Sequence, residues 1–212
     1  MSIETSLTET SLESPLPLIP MTRDRQVARW ISRIASPPFM AVGGAILSAY
    51  EIANRTAWFW VIYIIVFNIM VPSAYILWLK KKGKVTDFDV YLREQRFWPY
   101  VVSLSCGGIS WLAMAVLHAP RLLIILSGAT VGQGLLMFLI NLRWKISAHA
   151  AGTAGVAVLI WQILGAAGSP VLLIIPLVGW SRVRLGRHTL GQVIAGSAIG
   201  ATIYFLALAI WY

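Results

Sequence analysis

Acidic residues are absent from the second half of this 212-residue chain. All eight Asp and Glu residues lie at or before Glu94, and none occurs in 95–212. A carboxylate-built metal centre, a pair of catalytic carboxylates and a Ser-His-Asp triad all require acidic side chains. The C-terminal half alone can therefore build none of these three kinds of site.

Cysteine and charge are also scarce. Cys106 is the single cysteine, which excludes an intrachain disulfide and a cysteine-based zinc site, and we expect no metal or other cofactor. Charged residues make up 12% of the chain and hydrophobic residues 58%. Soluble domains usually carry about twice this charged fraction, so the composition predicts a multi-pass integral membrane protein. Ten Trp and seven Tyr agree, because both residues are enriched at membrane interfaces.

The charges that are present are mostly positive. Seventeen Lys and Arg against eight acidic residues give a formal net charge of +9. In an apolar chain such an excess is more typical of cytoplasmic loops or of anionic ligands than of nucleic-acid binding. We therefore expect the bilayer and a membrane lipid as partners, and no nucleic acid. The sequence gives no indication of an oligomeric state.

The first 35 residues differ from the remainder. Residues 1–22 are rich in Ser, Thr, Glu and Pro and contain no Lys or Arg, which predicts a disordered cytoplasmic tail. In 23–35, Val27, Trp30, Ile31 and Ile34 recur at helical spacing between arginines. That pattern favours a basic amphipathic helix on an anionic leaflet, although an ordinary juxtamembrane charge cluster explains it equally well. We therefore separate 1–35 from a transmembrane domain, 36–212.

Seven apolar segments follow, and each is expected to be helical because a backbone in lipid must satisfy its own hydrogen bonds. Their approximate bounds are 39–53, 57–79, 99–117, 122–140, 147–164, 171–180 and 188–212. A bilayer span needs about 20 residues, so the first and sixth segments are the least secure. Gly165, Gly168 and Pro170 are expected to break the helix between the fifth and sixth. The prediction is an all-α polytopic bundle of six to seven transmembrane helices.

Alternation of seven spans places most basic residues on one side of the membrane. Fifteen of the 17 Lys and Arg residues lie on the side of the N-terminal tail, leaving only Arg55 and Arg121 opposite. The positive-inside rule makes the crowded face cytoplasmic. Basic residues retained for ligand binding would produce the same asymmetry. Small residues at Gly128-x3-Gly132 and Gly196-x3-Gly200 predict close helix packing.

Two of the three histidines begin apolar helices on this crowded face. His149 follows Ser147, and His188 follows the basic segment 181–187. Helix N-termini carry partial positive charge and free N–H groups, and arginine donates bidentately to phosphate. The pattern predicts an anion site, with phosphate as the natural ligand, at one membrane face. His118 lies in a turn on the opposite face and is expected to be solvated.

These residues resemble the signatures of the type-2 phosphatidic acid phosphatase superfamily. Ser181-Arg182-x5-His188 is similar to its third signature, S-R-x5-H-x3-D, and Ser147-Ala148-His149 to its second, P-S-G-H. The segment 89–99 stands where the first signature, K-x6-R-P, would fall. All three occur in order on one predicted face, and the chain is identified as a divergent integral-membrane member.

The resemblance implies a metal-independent phosphatase that forms a phosphohistidine intermediate. It makes His188 the nucleophile, His149 the general acid, and Ser147 and Arg182 phosphate-binding residues. Imidazole chemistry suits this division, because the neutral ring is a nucleophile near pH 7 and the protonated ring an acid. Phosphoryl transfer otherwise needs positioning and stabilisation of charge on the equatorial oxygens.

The chain departs from the family pattern at three points. Gln192 replaces the aspartate that would accept the nucleophile's Nδ1–H, so it can orient the ring but adds no charge. The first signature is degenerate, and Arg93 and Arg96 are the predicted phosphate ligands there. Two apolar segments separate the first and second regions, where better-known members have a loop. Whether Asp87 or Asp89 folds into the site is left open by the sequence.

The expected function is hydrolysis of a phosphomonoester or diphosphate headgroup on a membrane lipid. An isoprenoid phosphate or diphosphate, phosphatidic acid and phosphatidylglycerol phosphate all fit, with a slight preference for isoprenoids because the site is expected to face the cytoplasm. Two alternatives remain open. One is a lipid phosphotransferase of the same fold, and the other a non-catalytic protein that binds or transports lipid phosphates.

Overall fold

The computed structural model describes residues 22–210, and every regular element among them is helical. The predicted disordered tail lies outside the described residues except for Thr22. The helices are α1 (Arg23–Ile34), α2 (Pro37–Ile52), α3 (Arg55–Ile64), α4 (Val71–Lys81), α5 (Phe97–Val116), α6 (Arg121–Asn141), α7 (Ala148–Leu164), α8 (Ile174–Arg184) and α9 (Leu190–Ala209). Shorter 3-10 turns precede α5 and α8, over Arg93–Arg96 and Gly165–Leu173. The predicted all-α class is confirmed for the described part of the chain.

Helices α3 and α4 form one continuous rod through a π-helical segment, Ile65–Met70. Asn54 begins the rod, because its Oδ1 accepts the Ala57 N–H at 2.7 Å and satisfies a free helix-start donor. Pro72 follows the π segment and has no N–H to donate, which accounts for the local change in hydrogen bonding. Lys80 and Lys81 end the rod, where positive charge favours a helix C-terminus.

Within residues 22–210, five helical segments are long and apolar enough to cross a membrane, as an integral membrane protein requires. They are Arg55–Lys81, Arg93–Val116, Arg121–Asn141, Ala148–Arg184 and Leu190–Ala209. The sequence predicted seven apolar segments, and the two that were the least certain to span the membrane account for the difference between seven and five. The first is α2, whose 16 residues are short for a span, and the sixth is continuous with the fifth.

The segment Ala148–Arg184 folds back on itself. A straight helix would hold His149 and Arg182 about 50 Å apart at ~1.5 Å per residue. Their Nε2 and Nη1 atoms are instead 3.5 Å apart. The reversal occurs at Gly165, whose φ of +59° is readily available only to glycine, and α8 returns along α7. The predicted break at this glycine is confirmed.

Small residues let α7 and α9 approach closely. A Cβ at Gly196 would lie 2.6 Å from the Ser147 carbonyl oxygen, and one at Gly200 would overlap the Ala151 carbonyl oxygen. The predicted packing role of this glycine pair is therefore confirmed. In the other pair, Gly128 lies under Trp111, whereas a Cβ at Gly132 would meet open space. Close packing of α9 on α7 holds the beginnings of these two helices side by side.

The loops that follow alternate helices meet at one end of the bundle, called here the polar end. Contacts from Arg93 to the Leu142 carbonyl and from Tyr91 to the Gly186 carbonyl tie three of these loops together. Helix α1 also lies at this end and packs on α8, with Asp24 paired to Arg184. The polar end thus gathers the segments that carry His149, Arg182 and His188.

Replacing Gly200 by alanine tests whether the α7–α9 approach stabilises the bundle. Gly200→Ala is expected to lower the free energy of unfolding by ~1–3 kcal/mol, because the added methyl overlaps backbone. Gly132→Ala is the matched control, and there helix propensity is expected to stabilise by ~0.5–1 kcal/mol. Thermal unfolding of the detergent-solubilised protein measures both. Equal stability of the two variants would contradict this packing account.

Candidate active site at the polar end

The guanidinium of Arg182 stands at the centre of the polar end. It lies in the last turn of α8 and is 2% exposed. Its Nη1 donates to Ser32 Oγ of α1 at 2.5 Å and to Asp89 Oδ2 at 3.0 Å. A buried charge needs such partners, since an unpaired one is costly to remove from water. This one side chain therefore joins α8, α1 and the loop before α5.

Arg182 retains a free donor despite these contacts. Its Nε is buried and has no hydrogen-bond partner among the described residues. Buried N–H groups are nearly always paired, so an acceptor is expected here. A phosphate oxygen is the acceptor that a guanidinium binds best, because the planar fork matches its geometry.

His149 is the second residue of α7 and is buried beside Arg182. Its Nε2 lies 3.5 Å from Arg182 Nη1 and 4.0 Å from Asp89 Oδ1. Ser147 caps the same helix, because its Oγ accepts the Ala150 N–H at 3.3 Å. That bond uses the hydroxyl oxygen as acceptor and leaves its O–H able to donate to an anion. Ser147 is fully buried, and the role that the structure shows for it is to cap α7.

A tight turn explains the spacing between Arg182 and His188. The chain leaves α8 through Gly186, whose φ is +66°. The backbone N–H groups of Arg187 and His188 both donate to the Arg182 carbonyl, at 3.0 and 3.3 Å. Five intervening residues therefore bring the histidine back beside the last turn of α8.

Gln192 orients the His188 ring. His188 Nδ1 lies 3.1 Å from Gln192 Oε1, and the Thr189 N–H donates to the same oxygen at 3.2 Å. Thr189 Oγ1 in turn accepts the Gln192 N–H at 3.4 Å, which completes a capping box at the start of α9. Because the Thr189 N–H requires an acceptor, the amide oxygen faces both groups. His188 Nδ1 must then carry the proton, and Nε2 keeps a free lone pair.

The two arginines predicted from the first signature region occupy different places. Arg96 is buried, donates from Nε to the Val90 carbonyl at 2.8 Å and from Nη1 to the Ile146 carbonyl at 2.9 Å. It lines the same cavity as His149 and His188.

Arg93 instead binds the end of α6. Its Nη1 donates to the carbonyls of Leu142 and Asn141 at 2.5 and 3.3 Å, and its Nη2 lies 3.4 Å from a Glu94 oxygen. The structure therefore brings Arg96 together with His149 and His188, whereas the Arg93 side chain binds the C-terminus of α6.

The electrostatic field at His188 is positive. Burial, together with the charges of Arg96, Arg182 and Lys145, lowers the pKa of His188 to about 3, and the bond to Gln192 opposes this only in part. The imidazole is consequently neutral at pH 7, as a nucleophile must be. Burial and neighbouring arginines also lower the pKa of Lys145 to about 8. Its Nζ lies 3.8 Å from the centre of the Tyr91 ring.

Asp89 is the carboxylate of this cluster. Its burial opposes ionisation, but the neighbouring His149 and Arg182 outweigh burial and lower its pKa. Asp87 pairs with Arg187 nearby. Four basic side chains (Arg96, Lys145, Arg182 and Arg187) thus face two carboxylates, and the remaining positive charge favours an anionic ligand.

Two contributors were not predicted. The sequence did not decide whether Asp89 lies in the site, because its position depends on how a loop folds, and residue spacing does not reveal that fold. Ser32 was missed, although Ala28, Ser32 and Ala35 recur at i, i+4 and i+7, and all three are buried. Helix α1, which contains the first two, packs on α8. The larger apolar residues of α1 used in the sequence pattern, including Val27, Trp30 and Ile34, are exposed. The small-residue stripe was the signal that would have identified this contact.

No group of three or more His, Cys, Asp or Glu residues within 22–210 is arranged to hold a metal ion. The chain matches no family model, no curated protein and no solved structure. Evidence for the function therefore lies in the arrangement of the chain's own side chains.

The lowered pKa of His188 has a measurable consequence for stability. An unfolded histidine takes up a proton near pH 6.5, whereas the folded one resists it to about pH 3. The unfolded state therefore binds more protons in this window, and stability falls as the pH drops below 6.5. At pH 5 the loss from this group is about 2 kcal/mol.

His188→Asn is expected to flatten the fall in melting temperature between pH 7 and pH 5. His118→Asn is the control, because this exposed residue has a φ of +56°, which asparagine also tolerates. Thermal unfolding at a series of pH values measures both variants. An unchanged slope in His188→Asn would contradict the buried, neutral imidazole.

Proposed function

We propose that this protein is an integral-membrane lipid phosphatase that uses no metal ion and forms a phosphohistidine on His188. The observation that carries the proposal is the state of the His188 ring. Gln192 holds Nδ1, so Nε2 is free, and Arg96 and Arg182 act electrostatically on the same ring. A neutral imidazole surrounded by guanidiniums suits attack on a phosphate ester.

In the first step His188 Nε2 attacks phosphorus in line. The new N–P bond forms as the bond from phosphorus to the lipid oxygen breaks, and that oxygen would take its proton from the imidazolium that His149 forms beside Asp89 in this step. Asp89, 4.0 Å from His149 Nε2, is placed to pair with the imidazolium form. The free Nε of Arg182 is the donor best suited to an equatorial oxygen.

In the second step water attacks phosphorus and His149 takes the proton that the water loses. The N–P bond breaks, inorganic phosphate leaves, and both histidines return to their starting states. Arg96 and Lys145 add positive charge to the site in both steps. Ser147 and Arg93 remain predicted phosphate ligands of lower priority, because one caps α7 and the other binds the end of α6.

The substrate and orientation are part of the proposal. The reversal at Gly165 separates α7 from α8, which supports six spans, and counting α2 gives seven. We place the polar end, with 15 of the 17 basic residues, in the cytoplasm. The substrate would be an isoprenoid phosphate or diphosphate, or a phosphatidic-acid type lipid, whose chain stays within the bilayer.

One observation favours a non-catalytic alternative, the binding of lipid phosphates. Gln192 supplies no negative charge to a phosphorylated His188, and Arg182 already contacts Asp89. A non-catalytic protein would keep the phosphate-binding residues but would not hydrolyse the bound lipid. A phosphotransferase would differ by passing the phosphoryl group to an alcohol instead of to water.

Phosphate release from a panel of lipid phosphates tests the proposal. His188→Ala is expected to lower kcat by at least ~10³-fold. His149→Ala is expected to lower it by roughly 10²- to 10⁴-fold, the usual contribution of a general acid. His118→Ala at the opposite end is the matched control and should retain activity. If wild type releases no phosphate, or His188→Ala keeps full activity, the phosphatase proposal fails.

Gln192→Asp tests the positioning role of Gln192. A carboxylate beside Nδ1 would stabilise positive charge on the ring, so kcat is expected to rise by roughly tenfold. The same charge raises the pKa of His188, so the acid limb of the kcat–pH profile should move to higher pH.

Gln192→Leu is the opposing variant and should lower kcat without that movement of the profile. Its loss of the capping box is followed separately by thermal unfolding. A Gln192→Asp protein with unchanged kcat and an unchanged profile would mean that another group orients the nucleophile.

A further inference from the structure

A second, open pocket lies at the polar end on the side of α1, and neither His149 nor His188 lines it. Helix α1, the end of α4, the loop before α5 and the turn after α8 form its walls, and it is called here the α1 pocket. Asp89 and Arg182 line both this pocket and the cavity that holds the histidines. The α1 pocket therefore adjoins the candidate active site but is built largely from other residues.

Positive charge predominates in the α1 pocket, which six basic and two acidic residues line. The two carboxylates are already paired, Asp87 with Arg187 and Asp89 with Arg182. Each of the other four basic residues lacks an ion pair with any carboxylate in 22–210, and they are Arg25, Arg29, Arg33 and Lys80. Four positive charges without a counter-charge around one pocket favour an anionic ligand.

Helix α1 supplies three of these four charges from a single stripe. Arg25, Arg29 and Arg33 recur at every fourth residue, and side chains at this spacing are neighbours on a helix surface. Ser32 lies beside the stripe, is buried, and accepts a hydrogen bond from Arg182 Nη1 at 2.5 Å. The packing of α1 on α8 therefore holds the arginine stripe beside the buried guanidinium of Arg182.

A different face of α1 is apolar and exposed. Val27, Trp30 and Ile34 lie on that face, and each side chain is more than half exposed. In a chain whose helices can cross a membrane, such a face next to the polar end fits the boundary between lipid headgroups and acyl chains. Tryptophan is enriched at that boundary. This orientation brings the arginine stripe to the level of the headgroups.

We propose that the α1 pocket binds the phosphate group of an anionic membrane lipid, at a site separate from His188. Arg25 and Arg29 donate to the phosphate oxygens, since guanidinium groups match them bidentately, and Lys80 adds charge from α4. The acyl chains of the lipid stay in the leaflet beside the exposed face of α1. The inference concerns binding alone, so it does not depend on the proposed phosphatase function.

Thermal stabilisation of the protein in an uncharged detergent by short-chain lipids tests the proposal. Dioctanoyl phosphatidylglycerol is expected to raise the melting temperature as its concentration increases, because a ligand of the folded state stabilises that state. Dioctanoyl phosphatidylcholine carries no net charge and should have little effect. Inorganic phosphate, the soluble source of the same group, should need at least a ~10-fold higher concentration, since it has no acyl chains to bury.

Two matched double variants locate the binding. Arg25→Gln/Arg29→Gln removes two charges of the α1 pocket and should weaken the affinity for phosphatidylglycerol by ~10- to 30-fold. Arg23→Gln/Arg143→Gln removes the same charge from exposed positions that do not line the pocket, and it should keep the affinity of the wild type. Equal affinities of the two double variants would overturn the proposal. Stabilisation by inorganic phosphate at the same concentration as the lipid would also overturn it.

The acidic residues that precede α1 are the competing occupant of the pocket. Glu4, Glu9 and Glu13 are replaced together by Gln, and the melting temperature without lipid is measured in wild type and in Arg25→Gln/Arg29→Gln. The proposal predicts the same effect of the three substitutions in both backgrounds. A loss of stability in wild type that disappears in Arg25→Gln/Arg29→Gln would assign the pocket to these glutamates and overturn the proposal. Every readout is binding or stability, so a failure of phosphate release leaves this test intact.

Discussion

The buried ion pair between Arg182 and Asp89 is the interaction on which the arrangement at the polar end depends. A guanidinium that is 2% exposed must find hydrogen-bond acceptors, and it finds them in Asp89 and in Ser32. These partners lie in segments far apart in sequence, so one side chain sets the position of α1, the loop before α5 and the end of α8. Removing Asp89 would leave the guanidinium without its counter-charge, which is more costly than losing an exposed pair.

Helix packing supplies the second constraint. Glycines on α9 allow its backbone to approach the carbonyls of Ser147 and Ala151, so the starts of α7 and α9 are held together. The reversal at Gly165 then returns α8 to the same end. The candidate nucleophile comes from the turn before α9, the candidate general acid from α7 and the candidate phosphate-binding arginine from α8. Contacts within the bundle determine the relative positions of these elements. Under the proposed function, such a site would need little rearrangement to receive a phosphate.

Much of this organisation was predictable from local patterns. Apolar segments, basic loops and the breaker at Gly165 predicted the helices. The histidines at 149 and 188 were expected to converge because both begin helices on the same predicted side. Gln192 was expected to reach His188 because four residues make one helical turn. The capping box of Thr189 and Gln192 was not predicted, although its spacing is visible in the sequence.

Other features depend on contacts that spacing does not encode. Arg93 and Arg96 were both predicted to bind phosphate, but Arg93 donates to the end of α6, whereas Arg96 lines the same pocket as the two histidines. The position of Asp89 follows from the fold of its loop and from its contact with Arg182. The number of spans was ambiguous for the same reason. Whether the 16-residue helix α2 spans the membrane, and whether α8 folds back along α7, depends on contacts with neighbouring helices and not on hydropathy alone.

In the proposed mechanism, His188 Nε2 forms a covalent bond to phosphorus. The most direct measurement is rapid quenching of the protein with a lipid phosphate that carries radiolabelled phosphorus, followed by peptide mapping under alkaline conditions. The account predicts an acid-labile, alkali-stable label on the peptide that contains His188, present in His149→Ala and absent in His188→Ala. Phosphate release without such a label, or a label that persists in His188→Ala, would contradict it.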